Sequence, residues 1–158
     1  MPDVEGPAME PEERRRLGVA LFNRVWTYLE MPDRTPEQDE LMVHMAHASS
    51  YHWSECGLGG PENTARSEWQ VSRVYSVLGR SEPALHHARR CLDVCLANGI
   101  GDFDLAYAYE ALARAHAAAG DTDEAGRNAA LAREAGRAIA EDDDRELFES
   151  DLATLPVG

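Results

Sequence analysis

Between Pro11 and Glu30 the apolar residues Leu17, Leu21, Val25 and Tyr28 recur every three or four positions, the spacing that lays one stripe along a helix. A second helix is predicted from Thr35-Pro36, where threonine can cap, proline can take the first helical position and Gln38 can complete a capping box. It carries Leu41, Met42, Met45 and Trp53 and stops at Gly57-Leu58-Gly59-Gly60. A second hairpin is expected over about residues 62–97, turning at Gly79-Arg80-Ser81, with Ser81 as cap and Pro83 in the first turn. Asn98-Gly99-Ile100-Gly101-Asp102 then joins a stop signal to a start signal. A third hairpin follows over about 103–140 and turns at Gly120-Asp121, where Asp121 can cap. A last helix, about 144–155, offers Leu147, Phe148, Leu152 and Leu155 to cover the open end of the stack. No segment alternates with period two, so no sheet is expected. Residues 1–9 are polar and aperiodic and predict a disordered arm, leaving 10–158 as a single helical domain.

The second and third hairpins superimpose at an offset of 41 residues. Tyr75, Leu78-Gly79, Ala84, Ala88 and Cys91 align with His116, Ala119-Gly120, Ala125, Ala129 and Ala132. An internal period of this size marks helix pairs that bury their apolar faces only against neighbours. On these residues the chain, over roughly 65–135, resembles the tetratricopeptide (TPR) family. Gly79 and Gly120 match its turn glycine, and Ala84 and Ala125 match its first small crossing position. The resemblance implies an all-α fold, an α-α superhelix of three antiparallel helix hairpins plus a C-terminal capping helix. The unit is longer than the family's repeat of about 34 residues, and Glu68 and Tyr109 stand at its tryptophan position. Ser72 and Ala113 stand at its interior glycine. The run 44–110 is also similar, more loosely, to a set of small bacterial repeat proteins.

Charge narrows the partners. All fifteen basic residues are arginine, a bias expected of a GC-rich bacterial genome, and the formal net charge is −14. Such a surface does not displace counterions from phosphate, so nucleic acid is not an expected partner. The run Glu141-Asp142-Asp143-Asp144 reads as a solvated helix start. No apolar run approaches the roughly 18 residues that span a bilayer, and Met1 to Glu5 lacks the basic and apolar regions of a signal peptide. These features predict a cytoplasmic protein with no membrane partner. Cys56, Cys91 and Cys95 are odd in number and without CxxC spacing, which argues against a disulfide framework and for buried, inert thiols.

Two constellations could carry chemistry. Glu40, His44 and His47, with Tyr51, share one face of the second helix, a geometry suited to zinc or iron, though the spacing is not that of the HExxH zincins. A polar helix face or hydrogen-bonded core histidines explain it as well. His86-His87 reads as surface or groove packing, and His116 as the filler of an interhelical slot. In tetratricopeptide stacks the first helix of each hairpin faces the inner groove, which here implies a groove lined by Arg66, Trp69, Arg73, Tyr107, Glu110 and Arg114. Arginine grips a carboxylate through two hydrogen bonds, and Trp or Tyr supplies rigid apolar area. The alternative is internal pairing, with Glu110 holding Arg114 and Arg73. No nucleophile elbow, phosphate loop or dinucleotide motif is present. The reading is therefore a non-enzymatic scaffold, without cofactor, that binds a peptide or protein segment bearing an anionic group. A metal-binding protein or metal-dependent enzyme on Glu40, His44 and His47 is the alternative, and a homo-oligomer whose groove holds a second copy is a further one.

Overall fold

The computed structural model describes residues 8–157, and the expected arm at 1–9 therefore lies mostly outside the described residues. Among the described residues seven helices follow one another: α1 (Pro11–Leu29), α2 (Pro36–Glu55), α3 (Pro61–Val77), α4 (Ser81–Ala97), α5 (Asp102–Ala118), α6 (Thr122–Arg137) and α7 (Asp142–Leu152). No strand occurs among the described residues. Proline occupies the first turn of α1, α2 and α3, where its missing N–H costs nothing. The capping box at α2 forms as expected: Gln38 N–H donates to Thr35 Oγ1 at 3.2 Å, and Thr35 N–H donates to Gln38 Oε1 at 2.8 Å. Asp121 caps α6 by accepting from Glu124 N–H at 3.2 Å.

Ser81 does not cap α4; it is the first helical residue, and Arg80 stands at the cap position without a side-chain capping bond. The reason is the turn before it. Gly79 takes φ of +70°, and Arg80 N–H reaches back to the Tyr75 carbonyl at 2.9 Å, closing α3 and reversing the chain within three residues. Gly120, at φ +77°, closes α5 the same way, with Asp121 N–H on the His116 carbonyl at 3.0 Å. The shared local geometry is what the repeated glycine encodes.

Each pair α1–α2, α3–α4 and α5–α6 packs as a hairpin; α2 lies on α3, α4 on α5, and α3 also touches α5. Small residues make the close approach possible. Ala84, Ala88, Ala125, Ala129 and Ala132 are fully buried or nearly so, and Ser72 Oγ donates to the Ala84 carbonyl at 2.8 Å across the α3–α4 contact. Val25, Met42 and Met45 form a second core with Val71 and Val74. Leu41, expected inside, is exposed, while Val43 and Ala46 fill the interior in its place.

Helix α7 packs on α5 and α6. Its anchor is Phe148, whose ring sits where a Cβ on Gly136 would be, so the helix can dock only against a glycine. Leu155, just past the helix, is buried with Ala113 and Ala129. Leu147 departs from the expected cap: it is 54% exposed. Asp102 ties the third hairpin shut: it adopts φ of +51° and accepts from Phe103 N–H at 2.7 Å and from Ala140 N–H at 3.1 Å. No described helix is long and apolar enough to cross a membrane.

Candidate functional site

A cleft of about 810 Å³ opens between α1, α3, α5 and α7. Phe22 and Trp26 enter it from α1, Trp69 from α3, and Phe103 and Tyr107 from α5. The rings form a chain of contacts: Trp26 to Trp69 at 5.4 Å between centroids, Trp69 to Tyr107 at 5.2 Å, and Tyr107 to Phe103 at 4.6 Å. Tyr107 also meets Phe148 edge-on at 5.0 Å, so the wall of the cleft continues directly into the packing of α7. Trp69 is 8% exposed and its Nε1 has no hydrogen-bond partner among the described residues.

Five of the six residues expected in the groove, Arg66, Trp69, Arg73, Tyr107 and Arg114, do line it. Glu110 does not: it lies beneath, with 0% exposure. Its Oε1 accepts from Arg73 Nη1 at 3.0 Å and from Arg114 Nε at 2.7 Å. Arg73 Nη2 stands 3.6 Å from an Asp151 carboxylate oxygen, and Arg114 Nη2 donates to Thr154 Oγ1 at 2.9 Å. The two arginine side chains are only 12% and 13% exposed. Of the two readings open for this cluster, internal pairing is what the geometry contains. The guanidinium groups join α3, α5 and the end of α7, and neither presents a free fork to a ligand. Arg66 is more open, at 52%, but its fork is spent on Asp104 at 2.9 and 3.1 Å. That bond raises its pKa further, against the cost of burial. Tyr107 O–H donates to Asp151 at 2.7 Å, and burial together with that carboxylate pushes its phenol strongly upward, so it remains protonated.

Sequence reasoning missed Phe22, Trp26, Asp104 and Asp151 as parts of this site. Phe22 and Trp26 are four residues apart, off the stripe of Leu21 and Val25, and that second aromatic pair on α1 was the available signal. Asp151 carries no local signal, because only the fold-back of α7 brings it under Arg73.

The histidine face of α2 is not assembled as a metal centre. Glu40 pairs with Arg80, His44 points to an exposed patch beside Leu41, and His47 Nε2 is 2.7 Å from the Tyr75 hydroxyl. Among the described residues no group of three or more His, Cys, Asp and Glu side chains is placed to hold a metal ion. Instead His47 joins a network over α3 and α4. Its ring lies 5.5 Å from His87, whose Nδ1 is 2.6 Å from Glu68 Oε2, and Arg90 Nε donates to Glu68 Oε1 at 2.9 Å. Burial, then the charge of His87, lowers the pKa of His47. Burial of Glu68 works upward, but its bonds from His87 and Arg90 outweigh it and hold the carboxyl below the usual range. His86 is exposed, and His116 is partly buried with Nδ1 3.6 Å from Asp121. All three cysteines are buried free thiols, and hydrogen bonding to Cys95 together with burial pushes the Cys91 thiol well up. No family model, curated protein or solved structure matches this chain.

Proposed function

We propose that the chain is a non-enzymatic helical-repeat scaffold of tetratricopeptide type, and that it binds a segment of another protein in the cleft between α1, α3, α5 and α7. The repeated turn glycines, the alanines at the helix crossings and the exposure of the first helix of each hairpin to the cleft support the repeat reading. The observation that carries the binding reading is the aromatic wall. A cleft of about 810 Å³ with Phe22, Trp26 and Phe103 partly exposed has the size and lining of a ligand site. Aromatic side chains held by their neighbours present apolar area with little entropy left to lose, which is how interface hot spots work. Arg73, Glu110 and Arg114 act under that wall as its frame. An acidic group on the ligand is the weakest part of the sequence expectation, since each arginine in the cleft already has an internal carboxylate.

Photo-crosslinking locates the binding surface. A photoreactive residue replacing Val77 or Leu147 sits at the cleft, and one replacing Leu96 or Leu131 sits on other exposed ground. The proposal expects a discrete protein adduct from the first two positions only, lost on Trp26→Ala. Equal adducts from Leu96 and Leu131 would place binding elsewhere.

A further inference from the structure

The sign of the cleft's charge identifies the chemistry of its occupant. Three arginines, Arg66, Arg73 and Arg114, line the cleft with four carboxylates, Glu30, Asp104, Asp144 and Asp151, and a fifth, Glu110, lies beneath it. Asp104, Glu110 and Asp151 are engaged by the arginines. Glu30 and Asp144 have no ion-pair partner or side-chain hydrogen bond among the described residues, and Asp144 adds only a longer-range pull on Arg66. Asp144 has a local reason to be acidic, because it lies in the first turn of α7, where the helix dipole favours a negative charge. Glu30 has none. It stands at the C-terminal cap of α1, the negative end of that helix, with no basic residue in the last turn. Arg34 reaches the Tyr28 and Met31 carbonyls there but pairs its charge with Asp39. An unpaired carboxylate at the wrong end of a helix, on the edge of an aromatic cleft, is placed against its own fold and toward a cation.

Building on the cleft reading above, we propose that the occupant is a basic amphipathic peptide segment that sets arginine or lysine beside Glu30 and Asp144 and an apolar side chain against Trp26 and Trp69. A guanidinium or ammonium group gains twice there, from the carboxylates and from the negative faces of the indoles. The net charge of −14 speeds the approach of such a partner. The same charge disfavours a second copy of this chain, which would bring carboxylates to carboxylates, and it disfavours nucleic acid.

The test is selection of a random dodecapeptide library displayed on phage against the full chain, followed by anisotropy titration of labelled winners. Wild type, the Glu30→Gln, Asp144→Asn double variant and Trp26→Ala are compared at low and high salt. The proposal expects enriched peptides of net positive charge with aromatic or leucine positions. Their affinity should fall about tenfold in the double variant and about as much between low and high salt. Both substituted carboxylates are exposed, and losing a favourable charge at the start of α7 opposes removing an unfavourable one at the end of α1, so the melting temperature should move little. Winners that are acidic or neutral, and indifferent to the double variant, would overturn the cationic assignment; if they still required Trp26, the cleft reading would stand. Selection that yields no peptide dependent on Trp26 would overturn both.

Discussion

Helices α3 and α5 differ from α4 and α6 in what they bury. The buried positions of α4 and α6 are Ala84, Ala88, Cys91 and Cys95, then Ala125, Asn128, Ala129, Ala132 and Gly136, all small apart from Asn128. Those of α3 and α5 include Trp69, Gln70, Glu68, Tyr107 and Glu110, large or polar. Small residues let α4 and α6 come close to α3 and α5. The first helices, brought near to one another by this close packing, place their aromatic and charged groups at the cleft. Under the proposed function, support and binding fall to alternate helices of the second and third hairpins, and that division predicts which substitutions cost stability and which cost binding.

The largest effects should come from groups that belong to both sides. Glu110→Leu would leave Arg73 and Arg114 buried without their shared carboxylate, at a cost of about 3–5 kcal/mol in a denaturant titration. Replacing all three together (Arg73→Met, Glu110→Leu, Arg114→Met) should recover most of that loss, because a buried ion cluster contributes little beyond an apolar one of the same size. Failure of the triple variant to recover would mean that the cluster is needed for more than its own neutrality. Phe148→Ala should cost about 3–5 kcal/mol by emptying the slot over Gly136. It should also loosen Asp151 from Arg73 and thereby link the cap to the cleft.

Overpacking tests the scaffold side. Ala84→Leu or Ala125→Leu should each cost about 1–3 kcal/mol, and equality of the two would sharpen the equivalence of the hairpins. Two melts without loss would break it. Gly79→Ala and Gly120→Ala force a side chain into a left-handed turn, at about 1–2 kcal/mol each by the same measurement.

The smallest effect is acid sensitivity of the α2–α4 network. His47 has a pKa below its ordinary 6.5, so the unfolded chain takes up its proton first and stability falls as pH drops below about that value. Glu68 is held below its ordinary 4.5, so its contribution is complete above that pH and is lost as pH falls through the folded value. Melting temperatures from neutral to acid pH should decline in two stages, and His47→Gln should remove the upper one. A single-stage decline unchanged by that variant would dissociate His47 from the network.

Helix content was legible because it rests on local rules. The stripe on α1, the capping box at Thr35 and the turn glycines act within a few residues, and each is found where expected. The cleft was half legible. The offset between hairpins brings Arg66, Trp69, Arg73, Tyr107 and Arg114 to one surface, but α1 and α7 lie outside the repeat and their contributions depend on docking angles. The burial of Glu110 was beyond pattern reading for a related reason. An i, i+4 pair with Arg114 is visible in the sequence, whereas its closure by Arg73 from 37 residues away and by Asp151 requires the packed stack. Leu147 and Leu41 were misplaced because an apolar side chain at a helical spacing does not say which of two adjoining faces is covered.

The central claim is that alternate helices divide binding from support, and amide chemical-shift mapping tests it most directly. A peptide taken from the display selection is titrated into isotopically labelled protein while backbone resonances are followed. The account predicts shifts concentrated at Phe22 to Glu30, Ala65 to Val77, Phe103 to Arg114 and Asp144 to Asp151, with α4 and α6 nearly still. Shifts centred on the exposed faces of α2, α4 or α6, with Trp26 and Trp69 unmoved, would contradict it.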